Sequence, residues 1–158
     1  MKKILLLLLL LPIFSFGQSV NTFPWVNDFE SFIGLEQDQN DFGDWLLMQG
    51  PTSSVNTGPQ GDHTNGSGIY FYVESSNPNF PNKDFTVYTP TFDVSATPGK
   101  VLSFWYHMYG IGMGDLEIGI ISDSIYNPID TISGDQGNQW KFAYYPIIAV
   151  DSFKIAFK

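Results

Sequence analysis

The sequence predicts an all-β protein, an antiparallel sandwich or barrel. Three observations carry this. Apolar residues recur with a period of two in several short runs. No stretch after residue 17 keeps them at i, i+3, i+4 and i+7 for three turns. The 15 glycines and 10 prolines fall largely between the alternating runs, where turns belong.

The chain opens on a different pattern. Met1-Lys2-Lys3 is a basic start, residues 4–14 are an apolar run of 11 interrupted only by Pro12, and Ser15-Phe16-Gly17 places small residues before Gln18. This is the layout of a secretory signal peptide over residues 1–17. A membrane-spanning helix would need about 20 apolar residues. There is no cysteine at the cleavage point for a lipid anchor. The expectation is an exported protein, extracellular or at the cell surface, with one domain of 141 residues over 18–158.

The expected strands follow in order. Residues 45–48 form a short one. In 69–73, Ile69, Phe71 and Val73 face one way, Tyr70 and Tyr72 the other. Residues 85–88 are a further short candidate. In 102–109, Leu102, Phe104, Tyr106 and Met108 share a face opposite Ser103, Trp105, His107 and Tyr109. Leu116, Ile118 and Ile120 alternate with Asp115, Glu117 and Gly119, and 129–132 follow. Pro146 makes 144–150 an edge strand or a bulge. Phe153, Ile155 and Phe157 close the series. Gly50-Pro51, Gly58-Pro59, Asn65-Gly66, Pro78-Asn79, Pro98-Gly99 and 134–138 supply turns.

With no cysteine, packing must hold the domain together. The sequence has 14 Phe, 8 Tyr and 4 Trp for this purpose, and a buried aromatic removes about 150–250 Å² from water. Trp45, Trp105 and Trp140 are expected in the core. The 16 acids against the 5 lysines left after residue 17 give a net charge of −11, with no arginine. Phosphate backbones need cationic patches, so nucleic acid is not an expected partner.

Four blocks carry a family resemblance. The first is Asp28-Phe29-Glu30-Ser31 with Asp44-Trp45. The second is Thr57-Gly58-Pro59, Asp62-His63-Thr64 and the run from Gly68 to Ser76. The third is the run from Leu102 to Gly110 with Met113-Gly114 and Leu116. The fourth is 134–137 with Trp140 and 153–157. Together they resemble the MAM domain, the adhesion module of meprins, neuropilins and receptor tyrosine phosphatases, over about residues 27–158. The resemblance implies a jelly-roll-like sandwich of two antiparallel sheets and a role in adhesion or partner recognition. It also implies cysteines where Asn27 and Val101 stand, and an Asp-rich strand after Phe157, so the domain is expected to be short at its C-terminus.

Candidate chemistry is sparse. His63 and His107 are too few for zinc, which wants three or four close ligands. His63 is expected to hydrogen-bond a turn, His107 to be a satisfied imidazole. Gly66-Ser67-Gly68 reads as a turn, not a nucleophile elbow. Glu74 and Glu117 read as acids of a solvent-facing sheet, not a hydrolytic pair. The expected protein is therefore not an enzyme. Calcium takes 6–8 oxygen ligands, and the resemblance implies that loops carrying Asp28, Glu30, Asp62 and the Thr64 carbonyl approach one another to hold a structural Ca²⁺. The alternative is Asp62 capping its own turn. Trp105, His107 and Tyr109 are candidate ligand-binding residues. The leading functional reading is a non-catalytic interaction module binding a protein partner or another copy of itself; the alternative is a carbohydrate-binding, lectin-like module. A third is a fragment of an enzyme whose catalytic domain follows Lys158.

Overall fold

The computed structural model describes residues 19–31, 34–148 and 151–158. The leader over 1–17 and Gln18 lie outside the described residues. Ten strands make up the fold: β1 (Glu36–Gln37), β2 (Leu46–Gln49), β3 (Ile69–Tyr72), β4 (Val87–Tyr88), β5 (Phe92–Asp93), β6 (Lys100–Tyr106), β7 (Asp115–Ser122), β8 (Ile125–Ser133), β9 (Lys141–Ile147) and β10 (Ser152–Phe157). The expected all-β class holds: the strands form antiparallel ladders in a jelly-roll sandwich, with no helix among the described residues.

One sheet runs β1-β4-β10-β7-β8, with β5 also paired to β10. Two ribbons, β6-β9 and β2-β3, make up the rest. The core lies between β7 and β10 on one side and the β6-β9 ribbon on the other. Ile118 and Ile155 are fully buried there with Ile120, Phe153, Phe92, Val94 and Ile147 around them. Leu102, Phe104 and Phe157 pack against this cluster, and the Phe104 and Phe157 rings meet edge to face at 5.1 Å. Each buried isoleucine contributes about 1.5–3 kcal/mol. Phe92 is clasped by Trp25 at 5.2 Å, Phe153 at 5.8 Å and Phe23 at 6.1 Å. In place of disulfides, rings tie the N-terminal segment to the sheet.

The core-facing rows read from sequence are borne out in β7 and β10, though the opposite rows are covered as well, with Ala156 at 1% exposure and Gly119 under the Tyr126 ring. Alternation holds in β3 too, but there the tyrosine side is the deeper one, with Tyr70 at 4% exposure. Its hydroxyl donates to the Gly50 carbonyl at 2.7 Å, which makes burial of the polar tip tolerable. On the opposite face Phe71 stacks on Phe29 and packs on Trp45, so both sides of β3 are covered. β6 ends at Tyr106, three residues short of the expected run. The chain there changes partners: the Gln136 N–H donates to the Met108 carbonyl and the Gly58 N–H to the Tyr109 carbonyl. Residues 149–150 of the expected 144–150 strand lie outside the described residues. Pro146 sits opposite Val101 on β9, which pairs only with β6 among the described ladders, as an edge strand should. Glu74 lies just past β3 and accepts from Ser53, Ser54 and Ser76, not on a strand as expected.

The β7-β8 hairpin turns through Asp123 and Ser124, both left-handed at φ 51° and 63°. Two left-handed central residues match the right-handed twist of the flanking strands. Asp-Ser is a weak signal for such a turn, and β8 is accordingly longer than its expected 129–132.

Candidate functional site

The β6-β9 ribbon turns Leu102, Phe104 and Tyr106 inward. Its other row is Val101, Ser103 and Trp105 from β6, opposite Pro146, Tyr144 and Phe142 from β9. This row is apolar yet open: Val101 is 47% exposed, Trp105 45%, Phe142 54% and Tyr144 57%. The expectation that Trp105 lies in the core is thereby corrected. Both rows of β6 are apolar, and the sandwich covers only one of them. Trp45 is half-buried, with its indole N–H donating to the Phe85 carbonyl at 2.9 Å. Trp140 is half-buried as well.

The outer row continues past the ribbon's end into His107 and Trp140, whose rings lie 5.5 Å apart. Here the row is roofed by the loop over residues 59–68. His63 lays its imidazole flat on the Trp105 indole, where a turn hydrogen bond had been expected, and its edge meets Trp140. The Trp140 Nε1–H donates to the Gly61 carbonyl at 3.2 Å. Gly61 is buried so closely that an added Cβ would lie 2.1 Å from the Gly66 carbonyl oxygen, so the loop closes on itself only with glycine there. Between loop and ribbon lies a cleft of about 280 Å³ lined by Gln60, Asp62, His107, Asn138, Gln139 and Trp140 among others.

His107 Nε2 lies 3.1 Å from Asn138 Oδ1. Burial pushes this imidazole below its ordinary value and outweighs the opposing pull of Asn138. Its Nδ1 is buried with no hydrogen-bond partner among the described residues. The expected satisfied imidazole is thus half satisfied. Tyr109 packs its ring against His107 at 6.4 Å. Of the three ligand candidates only His107 lines the cleft.

The four calcium candidates divide. Asx-type bonds shape the start of the domain: the Phe29 N–H donates to Asn27 Oδ1 and the Glu30 N–H to Asp28 Oδ1. Phe29 adopts φ 63°, costly for a bulky residue, and its ring stacks on Phe71 at 5.6 Å. This directs Glu30 to β3, where Oε1 accepts the Ile69 N–H at 2.7 Å. Asp62 accepts from Thr64 and Gly68, both at 2.7 Å, and from Asn65 at 3.2 Å. Burial raises the Asp62 carboxyl, but these amides, led by Gly68, outweigh it and hold it below the usual carboxylate range. An added Cβ at Gly68 would touch Glu30 Oε1 at 2.4 Å and Asp62 Cγ at 3.1 Å. Glu30 and Asp62 therefore meet across Gly68. No group of three or more His, Asp or Glu side chains converges among the described residues. A cation there would meet two carboxylates, three of whose four oxygens already accept main-chain N–H groups, and would draw its remaining ligands from main-chain carbonyls and water.

A jelly-roll sandwich with a loop-roofed aromatic row defines a module that offers surface instead of a deep enclosed pocket. The family model described as MAM domain, meprin/A5/mu, matches residues 27–158, and the chain belongs to that family. It is 36% identical over 130 residues to thyroid hormone-induced protein B of Xenopus laevis, covering 79% of this chain and 18% of that protein. It is 34% identical over 138 residues to MAM domain-containing glycosylphosphatidylinositol anchor protein 1 of Gallus gallus, covering 82% and 14%. With neuropilin-1a of Danio rerio it shares 35% over 124 residues, covering 75% and 13%. The chain thus spans less than a fifth of the length of these relatives.

Proposed function

We propose that this chain is an exported adhesion module, acting by contact and not by catalysis, whose docking surface is the bare half of the outer β6-β9 row. The observation that carries this is the exposure of Val101, Phe142 and Tyr144 side by side on paired strands. Exposed aromatics on a rigid sheet are the anchors that protein interfaces favour, because they bury much area at little entropic cost. The row from Val101 to Trp105 and from Phe142 to Pro146 carries no charge, on a chain of net charge −9. A second copy of the module can approach here with the least repulsion, so the partner is another copy. A relative named as a glycosylphosphatidylinositol anchor protein supports a surface location.

Sedimentation of the chain without residues 1–17 tests this. Concentration-dependent dimers are expected, and Phe142→Ser with Tyr144→Ser should leave a folded monomer. Dimers that survive the double substitution would place the contact elsewhere.

The same reading includes a structural calcium ion between Glu30 and Asp62, pinning the first block to the 61–68 loop. Its support is the convergence of two carboxylates across Gly68.

A further inference from the structure

From the cleft beneath the 59–68 loop, we infer that the module has a second ligand site, which binds one ring of a neutral saccharide. The site is separate from the bare half of the ribbon and stands whether or not copies dock there.

Size, chemistry and readiness agree. The cleft of about 280 Å³ is slightly smaller than the roughly 300 Å³ at which ligand sites begin, and it has room for a single ring in preference to a peptide. A sugar ring presents hydroxyls that both donate and accept, beside apolar C–H faces. The lining matches this with three side-chain amides, Gln60, Asn138 and Gln139, each carrying donors and an acceptor. Asp62 adds an acceptor and Trp140 an apolar wall. The side chains of Gln60 and Gln139 are exposed and make no hydrogen bond among the described residues, so no internal contact must break for them to take a ligand.

No lysine lines the cleft, while Asp62 does. Anionic sugars find no cationic side chain among these residues, which is why the ligand is neutral. The floor is fixed beforehand: Trp140 is held by the Gly61 carbonyl, Asn138 by His107, and Gly61 by its fit under Gly66. This preformed floor confines the ordering entropy lost on binding mainly to the Gln60 and Gln139 side chains.

The test is a titration of the chain without residues 1–17 with glucose, galactose, mannose, N-acetylglucosamine and short oligomers of each, followed by NMR at the Trp140 indole N–H. At least one of these should shift that resonance saturably, with a dissociation constant of about 1 mM or tighter. Gln60→Ala and Gln139→Ala should each weaken binding roughly tenfold, the loss of one good hydrogen bond. Phe142→Ser should leave it unchanged. Glucuronic acid should bind more weakly than glucose. No shift with any neutral sugar would overturn the inference, as would equal binding by the Gln60→Ala, Gln139→Ala double variant or stronger binding of the acid.

Discussion

The imidazole of His63 lies 3.7 Å from the indole of Trp105, centroid to centroid, with the two planes 17° from parallel. This stack joins the second block of the sequence to the third and, with the Trp140 to Gly61 hydrogen bond, holds the 59–68 loop over the aromatic row. Aromatic pairs add about 0.5–1.5 kcal/mol beyond the area they bury. His63→Ala is expected to lower unfolding free energy by about that amount and to shift tryptophan fluorescence to the red as Trp105 gains water. His63→Phe should recover most of the loss. Wild-type stability in His63→Ala would show that the loop is held by other contacts.

Gly61 tests whether the loop depends on close backbone approach. A methyl group there meets the main chain of Gly66 at 2.1 Å, and backbone cannot swing aside. Gly61→Ala should destabilise by about 1–3 kcal/mol, as overpacking does, and should change the environment of the Trp140 indole N–H. Gly112 has nothing within 4 Å of an added Cβ, so Gly112→Ala should stay within about 0.5 kcal/mol of wild type. Chemical denaturation of both variants separates collision from a general intolerance of alanine.

Tyr145 on β9 donates to Asp130 on β8 at 2.7 Å, latching the ribbon to the edge of the larger sheet. Burial, reinforced by the Asp130 carboxylate, pushes the Tyr145 hydroxyl up to about 12 from its ordinary 10. A group whose pKa is raised on folding stabilises the fold fully below its unfolded value. That contribution drains away as pH climbs from 10 to about 12. Stability measured across this window should therefore fall, and Asp130→Asn should move the Tyr145 titration down toward 10 and flatten the fall. An unchanged tyrosinate titration in that variant would remove Asp130 as a cause.

Calcium at about 1 mM, the range of extracellular modules, is expected to raise the melting temperature. Glu30→Gln and Asp62→Asn should each abolish the rise while keeping an oxygen for the amides they now bond. Magnesium should not substitute. A melting temperature indifferent to calcium would leave Asp62 as a turn cap and nothing more.

Much of the fold was legible along the chain. In β7 and β10 one row is apolar and the other polar or small, so a period of two names the row that faces the core. Lys154 against Phe153 and Ile155 is such a case. The turns read from Gly50, Gly58, Gly66 and Gly134 are left-handed in the structure. The strands Glu36–Gln37 and Phe92–Asp93 were not legible, since two residues carry no period. Of the cleft, Asp62 and His107 stood out beforehand, but Gln60, Asn138 and Gln139 did not. Amides in Gly-rich turns carry no signal until the turns are brought face to face.

By itself the sequence determined the all-β class, the inward rows of β7 and β10, and the family to which the chain belongs. Those follow from short-range alternation and from blocks of residues whose order is written in the chain. Only the tertiary structure decided which apolar row of β6 is core and which is surface, that Tyr70 is buried more deeply than Phe71, and that Glu30 and Asp62 share Gly68. The physical reason is common to all three. Burial belongs to whatever packs opposite, and a strand with two apolar faces leaves that choice to partners tens of residues away.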